Sequence, residues 1–149
     1  MSKSVIINCM NCNKEHLIKN IYSTKGKFCS PTCQHEYQYK ERVTKWLNGE
    51  DVQTVKSKNT LQISFWVKRA LLEIRGPGCE ICKIEEWNGH HIVLQCDHID
   101  GDAANNKPEN LRLICPNCHS QTETWGNKGG RKSSRLVAGK YKKELMSEI

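Results

Sequence analysis

The stretch that decides the fold runs from residue 79 to residue 118, where Cys79-Glu80-Ile81-Cys82 and Cys115-Pro116-Asn117-Cys118 enclose 32 further residues. Each close pair of cysteines can bind one side of a tetrahedral ion, while the residues between the pairs form a substructure of their own. Four thiolates leave no coordination position open for water. The pattern therefore predicts a structural zinc ion rather than a catalytic one.

A second set of cysteines lies nearer the N-terminus, as Cys9-x2-Cys12 and Cys29-x3-Cys33. The chain has nine cysteines in all, and we see no export signal at its start. A reducing cytosol keeps such thiols free of disulfides, so metal binding is the economical explanation for four close pairs. We expect a second structural zinc here, and a buried packing role for the remaining Cys96.

Helical periodicity appears twice outside the cysteine pairs. The first set of apolar residues is Tyr39, Val43, Trp46 and Leu47. The second predicted helix covers 63–74, with a cap at Asn59 or Thr60 and an end at Gly76-Pro77-Gly78. Its apolar stripe from Ile63 to Ile74 is most simply a packing surface.

Between Cys82 and Cys115 we predict a turn at Asn88-Gly89 and strands over 92–96 and 111–114, followed by a helix from Cys115 to about Glu123. The fold class is therefore α+β, built from small modules that zinc holds together. The predicted divisions are a zinc-binding module with a helix at 1–49, a linker and amphipathic helix at 50–76, a domain at 77–127 and a tail at 128–149.

Charge points to a polyanionic partner. The formal net charge is +7, and residues 126–149 hold seven Lys or Arg against two Glu. We expect nucleic acid to bind this tail, through Lys128, Arg131, Lys132 and Arg135. No apolar run approaches the roughly 18 residues that span a bilayer, so we expect no membrane partner.

Polar residues with metal-binding and proton-transfer chemistry lie within or directly after the Cys79–Cys118 set: Asp97-His98-Ile99-Asp100-Gly101, then Asn110, then His119 beside Cys118. With the stretches GPGCEIC, EWNGHHIVLQCDHIDGD and NNKPENLRLICPNCHSQTETWG, the sequence resembles the HNH endonuclease family. The resemblance extends to CMNCNKEH, KFCSPTC and KWLNGE, and so covers most of residues 9–127. It implies a ββα-metal, treble-clef-like nuclease domain, preceded by a zinc module and a connecting helix.

The resemblance also implies a role for each residue. His98 matches the family's general base. Its imidazole suits that role, since a neutral imidazole can take a proton from water near neutral pH. Asp97 and His119 match the ligands of one catalytic divalent ion; we expect Mg²⁺ or Mn²⁺, and the mixed ligand set also admits a softer transition metal. Asn110 matches the residue that holds the loop of the base. Some relatives carry another ligand histidine where this chain has Glu123, which we expect to act through water or to face solvent.

The expected function is a metal-dependent endonuclease that nicks or cuts double-stranded DNA and leaves 5′-phosphate and 3′-hydroxyl ends. The resemblance suggests a phage or mobile-element product, with homing as one role, acting in the cytoplasm of a bacterial host. Two alternatives remain open. One is a non-catalytic zinc protein that binds nucleic acid as a regulator; the other is a packaging-associated nuclease that needs a protein partner.

Overall fold

A computed structural model describes residues 4–18, 24–57 and 61–127, which fall into two compact units divided after Ile74. We call these the N-terminal unit and the C-terminal unit. Each contains helices and antiparallel strand pairs, so the α+β class is confirmed. The predicted DNA contacts Lys128, Arg131, Lys132 and Arg135 lie outside the described residues and stay predictions. The domain limits read from the sequence also stay predictions.

The N-terminal unit begins with an antiparallel strand pair in which Val5 lies opposite Ile18. Its elements are β1 (Val5–Asn8), β2 (Glu15–Ile18), α1 (Pro31–Leu47) and α2 (Phe65–Arg75), whose last residue belongs to the C-terminal unit. Helix α1 starts where Ser30 Oγ accepts a hydrogen bond from the Cys33 amide. It buries Tyr39 and Trp46, two of the apolar residues that predicted it.

The prediction for the second helix is wrong at its start. Helix α2 begins at Phe65, whereas Ile63 pairs with Val55 in an isolated antiparallel bridge. The amide of Ser64 donates to the Thr54 carbonyl at 2.7 Å. Because this pairing holds residues 63–64 in an extended conformation, the helix starts only after them. The predicted linker at 50–60 therefore contains paired backbone, and the predicted caps Asn59 and Thr60 lie outside the described residues.

The C-terminal unit is built on two antiparallel strand pairs and a short helix. Its elements are β3 (Glu86–Trp87), β4 (His90–His91), β5 (Gln95–His98), β6 (Leu111–Ile114) and α3 (Pro116–Gln121). The predicted turn is confirmed, because Asn88 and Gly89 have φ values of 51° and 76°, as a type I′ hairpin requires. In the second pair, Asp97 lies opposite Arg112 and His98 opposite Leu111.

Two element limits in this unit differ from the prediction. Strand β5 begins at Gln95 rather than Ile92, because its extent is set by pairing with β6, from Gln95 opposite Ile114 to His98. Helix α3 ends at Gln121 instead of Glu123, since Thr122 leaves helical geometry with ψ at 149°. Cys96 is half-buried, so the expected buried packing role is only partly met.

The core of the C-terminal unit is small and includes Leu111, Leu113 and Ile114 of β6, which are buried together with Leu94. Because side chains alternate along a strand, Leu111 and Leu113 share one face of β6, and Arg112 lies on the opposite face beside Asp97. Within the described residues no helix has the length and apolar character needed to cross a membrane.

Candidate metal centres and active site

Two groups of four cysteines are the clearest metal sites in the described part of the chain. We call them the N-terminal cluster (Cys9, Cys12, Cys29, Cys33) and the C-terminal cluster (Cys79, Cys82, Cys115, Cys118). In each, the four Sγ atoms lie within 4.8 Å of one another. The Sγ atoms of Cys82 and Cys115 are 3.8 Å apart, about the spacing of two sulfurs that are each ~2.3 Å from a tetrahedral zinc ion. Both clusters can therefore hold zinc.

In each cluster, the first two cysteines are held by a backbone loop of the same conformation. The amide of Asn13 donates to the Cys9 carbonyl at 2.8 Å, and the amide of Lys83 donates to the Cys79 carbonyl at 2.8 Å. Asn13 and Lys83 both have positive φ values, 58° and 64°. This conformation turns the chain back and aims both thiols of the pair at one point.

Backbone amides also favour thiolate in both clusters. Burial raises the pKa of Cys79, but the amides of Cys115, Cys82 and Ile81 outweigh it and lower the pKa to about 6. The same competition lowers the pKa of Cys9 to about 6. Burial and neighbouring thiols raise the pKa of Cys118 to about 12, since four thiolates repel one another. A divalent cation relieves that repulsion, which is the chemistry expected of a zinc site.

A candidate metal site of a second kind, formed by Asp97 and His119, lies where β5 meets α3. The Asp97 Oδ1 atom is 3.4 Å from His119 Nε2, and Asp97 is only 4% exposed. The other carboxylate oxygen, Oδ2, accepts from Arg112 Nε at 2.7 Å. Two atoms that each lie about 2.1 Å from one ion are at most ~4.2 Å apart, so this spacing is within the reach of a single divalent ion.

The orientation of His119 fits an ion better than an isolated pair of side chains. Its Nδ1 lies 2.6 Å from Gln95 Oε1, an atom that only accepts, so Nδ1 carries the proton and donates. In the neutral ring the Nε2 lone pair then faces the Asp97 carboxylate. A cation between the two acceptors stabilises them, as a proton on Nε2 also would, and histidine ligands are usually oriented in this way. The Trp125 ring contacts the imidazole edge-on, with centroids 4.6 Å apart.

His98, the predicted base, ends β5 and is oriented by a loop residue. Its Nε2 lies 2.8 Å from Asn106 Oδ1, so Nε2–H donates and Nδ1 keeps a lone pair. The predicted loop holder, Asn110, is buried. Its Nδ2 donates to Asp100 Oδ1 at 2.9 Å and to the Asn105 carbonyl at 2.7 Å. These bonds hold both ends of the loop that carries Asn106.

The structure thus brings Asp97 and His119 together, places His98 one residue after Asp97 at the end of the same strand, and leaves Asn110 one loop away. Glu123 is exposed, and makes no hydrogen bond to the Asp97–His119 pair. Sequence reasoning missed four residues that orient the site: Gln95, Asn106, Arg112 and Trp125. Only Gln95 had a usable signal, because strand alternation places it on the same face as Asp97.

Comparisons with known proteins find a similarity to an H-N-H endonuclease. No protein-family model matches the chain, and no solved structure matches it. The H-N-H endonuclease F-TflIV of Escherichia phage T5 is 34% identical over 139 residues, which cover 91% of this chain and 57% of that protein. The chain thus spans little more than half of the relative's length. A match that long includes the whole stretch from Cys79 to His119, so the similarity to an H-N-H endonuclease covers the residues whose motifs resemble that family.

Proposed function

We propose that this protein is a metal-dependent HNH endonuclease that hydrolyses phosphodiester bonds in double-stranded DNA. The observation that carries the proposal is the approach of Asp97 Oδ1 to His119 Nε2, 3.4 Å apart, beside the strand end that holds His98. The strand pair β5–β6 followed by α3 has the order of elements expected of a ββα-metal site, which supports the proposal. The homology to a phage H-N-H endonuclease supports the same reaction class.

In the proposed mechanism, His98 Nδ1 takes a proton from a water molecule while Nε2–H stays bonded to Asn106. The water oxygen forms a bond to phosphorus, and the bond from phosphorus to the 3′ oxygen breaks. The leaving oxygen takes a proton from solvent, so the products are 5′-phosphate and 3′-hydroxyl ends. A divalent ion at Asp97 and His119 would, when bound, supply positive charge beside the phosphate. A set of one oxygen and one nitrogen ligand with open positions admits Mg²⁺, Mn²⁺ or a softer transition metal.

The test is nicking of supercoiled plasmid by the full chain with Mg²⁺ or Mn²⁺. We expect His98→Ala to lower the nicking rate by about 10²–10⁴, the usual contribution of a general base. His35→Ala is the matched control, because His35 is exposed on α1 and has no proposed role. The proposal fails if the unmodified chain nicks with neither ion, or if His98→Ala nicks as fast as His35→Ala.

The biological setting is part of the proposal. The relative comes from a phage, which supports a phage or mobile-element product that acts in the cytoplasm of a bacterial host. Homing and packaging differ in whether a partner protein is needed before cleavage. DNA binding with no cleavage under either ion would favour the zinc-containing regulator instead.

A further inference from the structure

We propose that Arg112 binds an oxygen of the DNA phosphate next to the Asp97–His119 site while its Nε holds Asp97 in place. The inference rests on the proposed function, and adds a substrate contact that the sequence motifs do not contain. Arg112 lies directly opposite Asp97 across the β5–β6 pair. Cross-strand partners share one face of a sheet, so the side chain reaches the carboxylate without distortion.

The guanidinium of Arg112 is only partly used by the protein. Nε donates to Asp97 Oδ2 at 2.7 Å, but within residues 61–127 neither Nη nitrogen makes a hydrogen bond to a protein acceptor. A guanidinium presents five N–H groups in a planar fork suited to phosphate. The side chain is 24% exposed, so the unused donors are within reach of a ligand from solvent.

Arg75 in the same unit shows what a purely structural arginine looks like. Its Nη1 donates to both carboxylate oxygens of Glu80 and to the Leu111 carbonyl, and its Nη2 donates to the Pro108 carbonyl. Both Nη nitrogens are committed to protein acceptors. Among the described residues, Arg112, one residue beyond Leu111, is bonded through Nε alone. The difference indicates that Arg112 keeps donors available for a ligand.

The space beside Arg112 fits a nucleic-acid backbone. Arg112 lines an open cavity of about 430 Å³ together with the polar residues Gln121, Thr122 and Thr124 and with Glu123. The carboxylate of Glu123 is the acidic group on this wall, and it is exposed to water, which weakens its repulsion of an anion. With a divalent ion on Asp97 and His119, the local charge is positive where a phosphodiester would lie.

The salt dependence of binding separates a phosphate contact from a purely structural role. We would measure the affinity of the full chain for a 30-base-pair duplex across NaCl concentrations with Mg²⁺, in a His98→Ala background so that the duplex stays intact. The logarithm of the affinity falls linearly with the logarithm of the salt concentration, and removing one phosphate contact decreases the magnitude of this slope by about 0.9. We expect that decrease for Arg112→Gln and no decrease for the matched control Arg75→Gln.

An unchanged slope in Arg112→Gln, or an equal decrease in both variants, would overturn the inference. Zinc content and circular dichroism show whether each variant is folded. If Arg112→Gln does not fold, Arg112→Lys decides the matter with an otherwise unmodified chain. An ammonium group cannot bridge Asp97 and a phosphate as a planar guanidinium does. We therefore expect the cleavage rate of Arg112→Lys to fall at least about tenfold, the effect of losing ~1.4 kcal/mol. Cleavage at the wild-type rate would contradict the inference.

Failure of the proposed function would be seen separately. It appears as absence of cleavage by the unmodified chain, whereas the binding slope of Arg112→Gln still supports or overturns the phosphate contact by itself.

Discussion

The two cysteine clusters share one design and differ in what is built upon it. Each begins with a C-x2-C loop closed by a residue of positive φ, Asn13 or Lys83. Each ends at a helix whose first residue is a proline, Pro31 or Pro116. The cysteine pairs are separated by 16 residues in the N-terminal cluster and by 32 in the C-terminal cluster. The longer insertion supplies the strand pair β5–β6 and the loop that carry the candidate active site.

The residue after the last cysteine shows the difference at one position. Cys33 is followed by Gln34, whereas Cys118 is followed by His119, whose Nε2 faces Asp97. A zinc ion that fixes the start of α3 would therefore also fix a ligand of the proposed catalytic ion. The same kind of cysteine cluster can therefore stabilise the fold alone, or can stabilise the fold and also position a catalytic residue, depending on the residues around it.

The N-terminal unit uses its polar residues for packing instead. Arg69 donates to Glu36 at 3.0 Å and to Glu73 at 2.8 Å, and its guanidinium lies 3.8 Å from the centroid of the Tyr39 ring. Tyr39 in turn donates to Glu73 at 2.6 Å. Each of these charged groups meets a partner of opposite charge or a ring face, so the contacts link α1 to α2.

The strongest test of the comparison replaces one cysteine in each cluster. We expect Cys118→Ser to abolish plasmid nicking, because the site tolerates displacements of only about 0.5 Å and His119 is adjacent. Cys33→Ser should lose zinc from the other cluster yet keep nicking within about tenfold, since the proposed catalytic residues all lie in the C-terminal unit. Zinc content and nicking rate are measured on both variants. Full activity in zinc-depleted Cys118→Ser would show that the two metal sites are independent.

A smaller effect is expected from the bond that orients His119. Gln95→Leu removes the acceptor of His119 Nδ1–H, and loss of such a partner typically costs 10–100-fold in metal affinity. The measurement is the Mn²⁺ concentration that gives half-maximal nicking. Gln34→Leu, the same substitution in the N-terminal unit at the position directly after Cys33, is the control and should not change this concentration. If the two variants need the same Mn²⁺ concentration for half-maximal nicking, Gln95 does not orient a ligand of the proposed ion.

The loop held by Asn110 is expected to matter for stability. Asn110→Ala leaves the buried end of the loop without three hydrogen bonds, including that from the Asp100 amide to Asn110 Oδ1 at 3.1 Å. We expect the free energy of unfolding of the C-terminal unit to fall by about 1–3 kcal/mol, measured by urea denaturation. Asn8→Ala, at an exposed position in the N-terminal unit, should cost far less. A similar loss in both variants would mean that Asn110 does not hold the loop.

The smallest effects concern one carboxylate in each unit. The Asn105 amide, the Asp102 backbone amide and the Asn110 amide lower the pKa of Asp100, and the Tyr39 hydroxyl lowers the pKa of Glu73. A folded-state pKa below the unfolded value stabilises the protein above the unfolded pKa, roughly 3.9 for Asp and 4.3 for Glu. That stability is lost as the pH falls through the folded pKa.

Melting temperatures between pH 7 and pH 3 test this linkage. Asp100→Asn and Glu73→Gln should each lose less stability on acidification than the unmodified chain does. A steeper loss in either variant would reverse the sign that we assign to that carboxylate.

Much of the site could be predicted from sequence spacing because the interactions concerned are local. Close cysteine pairs, the Asn88-Gly89 turn and the order of Asp97, His98, Asn110 and His119 can all be read along the chain. The starts of α2 and β5 could not, because Ile63 and Gln95 are governed by pairing with Val55 and Ile114. Pairing over such distances depends on register, which periodicity does not report.

What the sequence alone determined is the set of chemical groups: eight paired thiols, one carboxylate, two imidazoles and one amide in an order typical of one nuclease family. What only the tertiary structure decided is which atoms are left to act. Arg112 occupies the Oδ2 atom of Asp97, and Gln95 accepts from the Nδ1–H group of His119. The remaining atoms, Oδ1 of Asp97 and Nε2 of His119, therefore face each other. Side-chain orientation of this kind depends on cross-strand neighbours, which the chain brings together only when β5 pairs with β6.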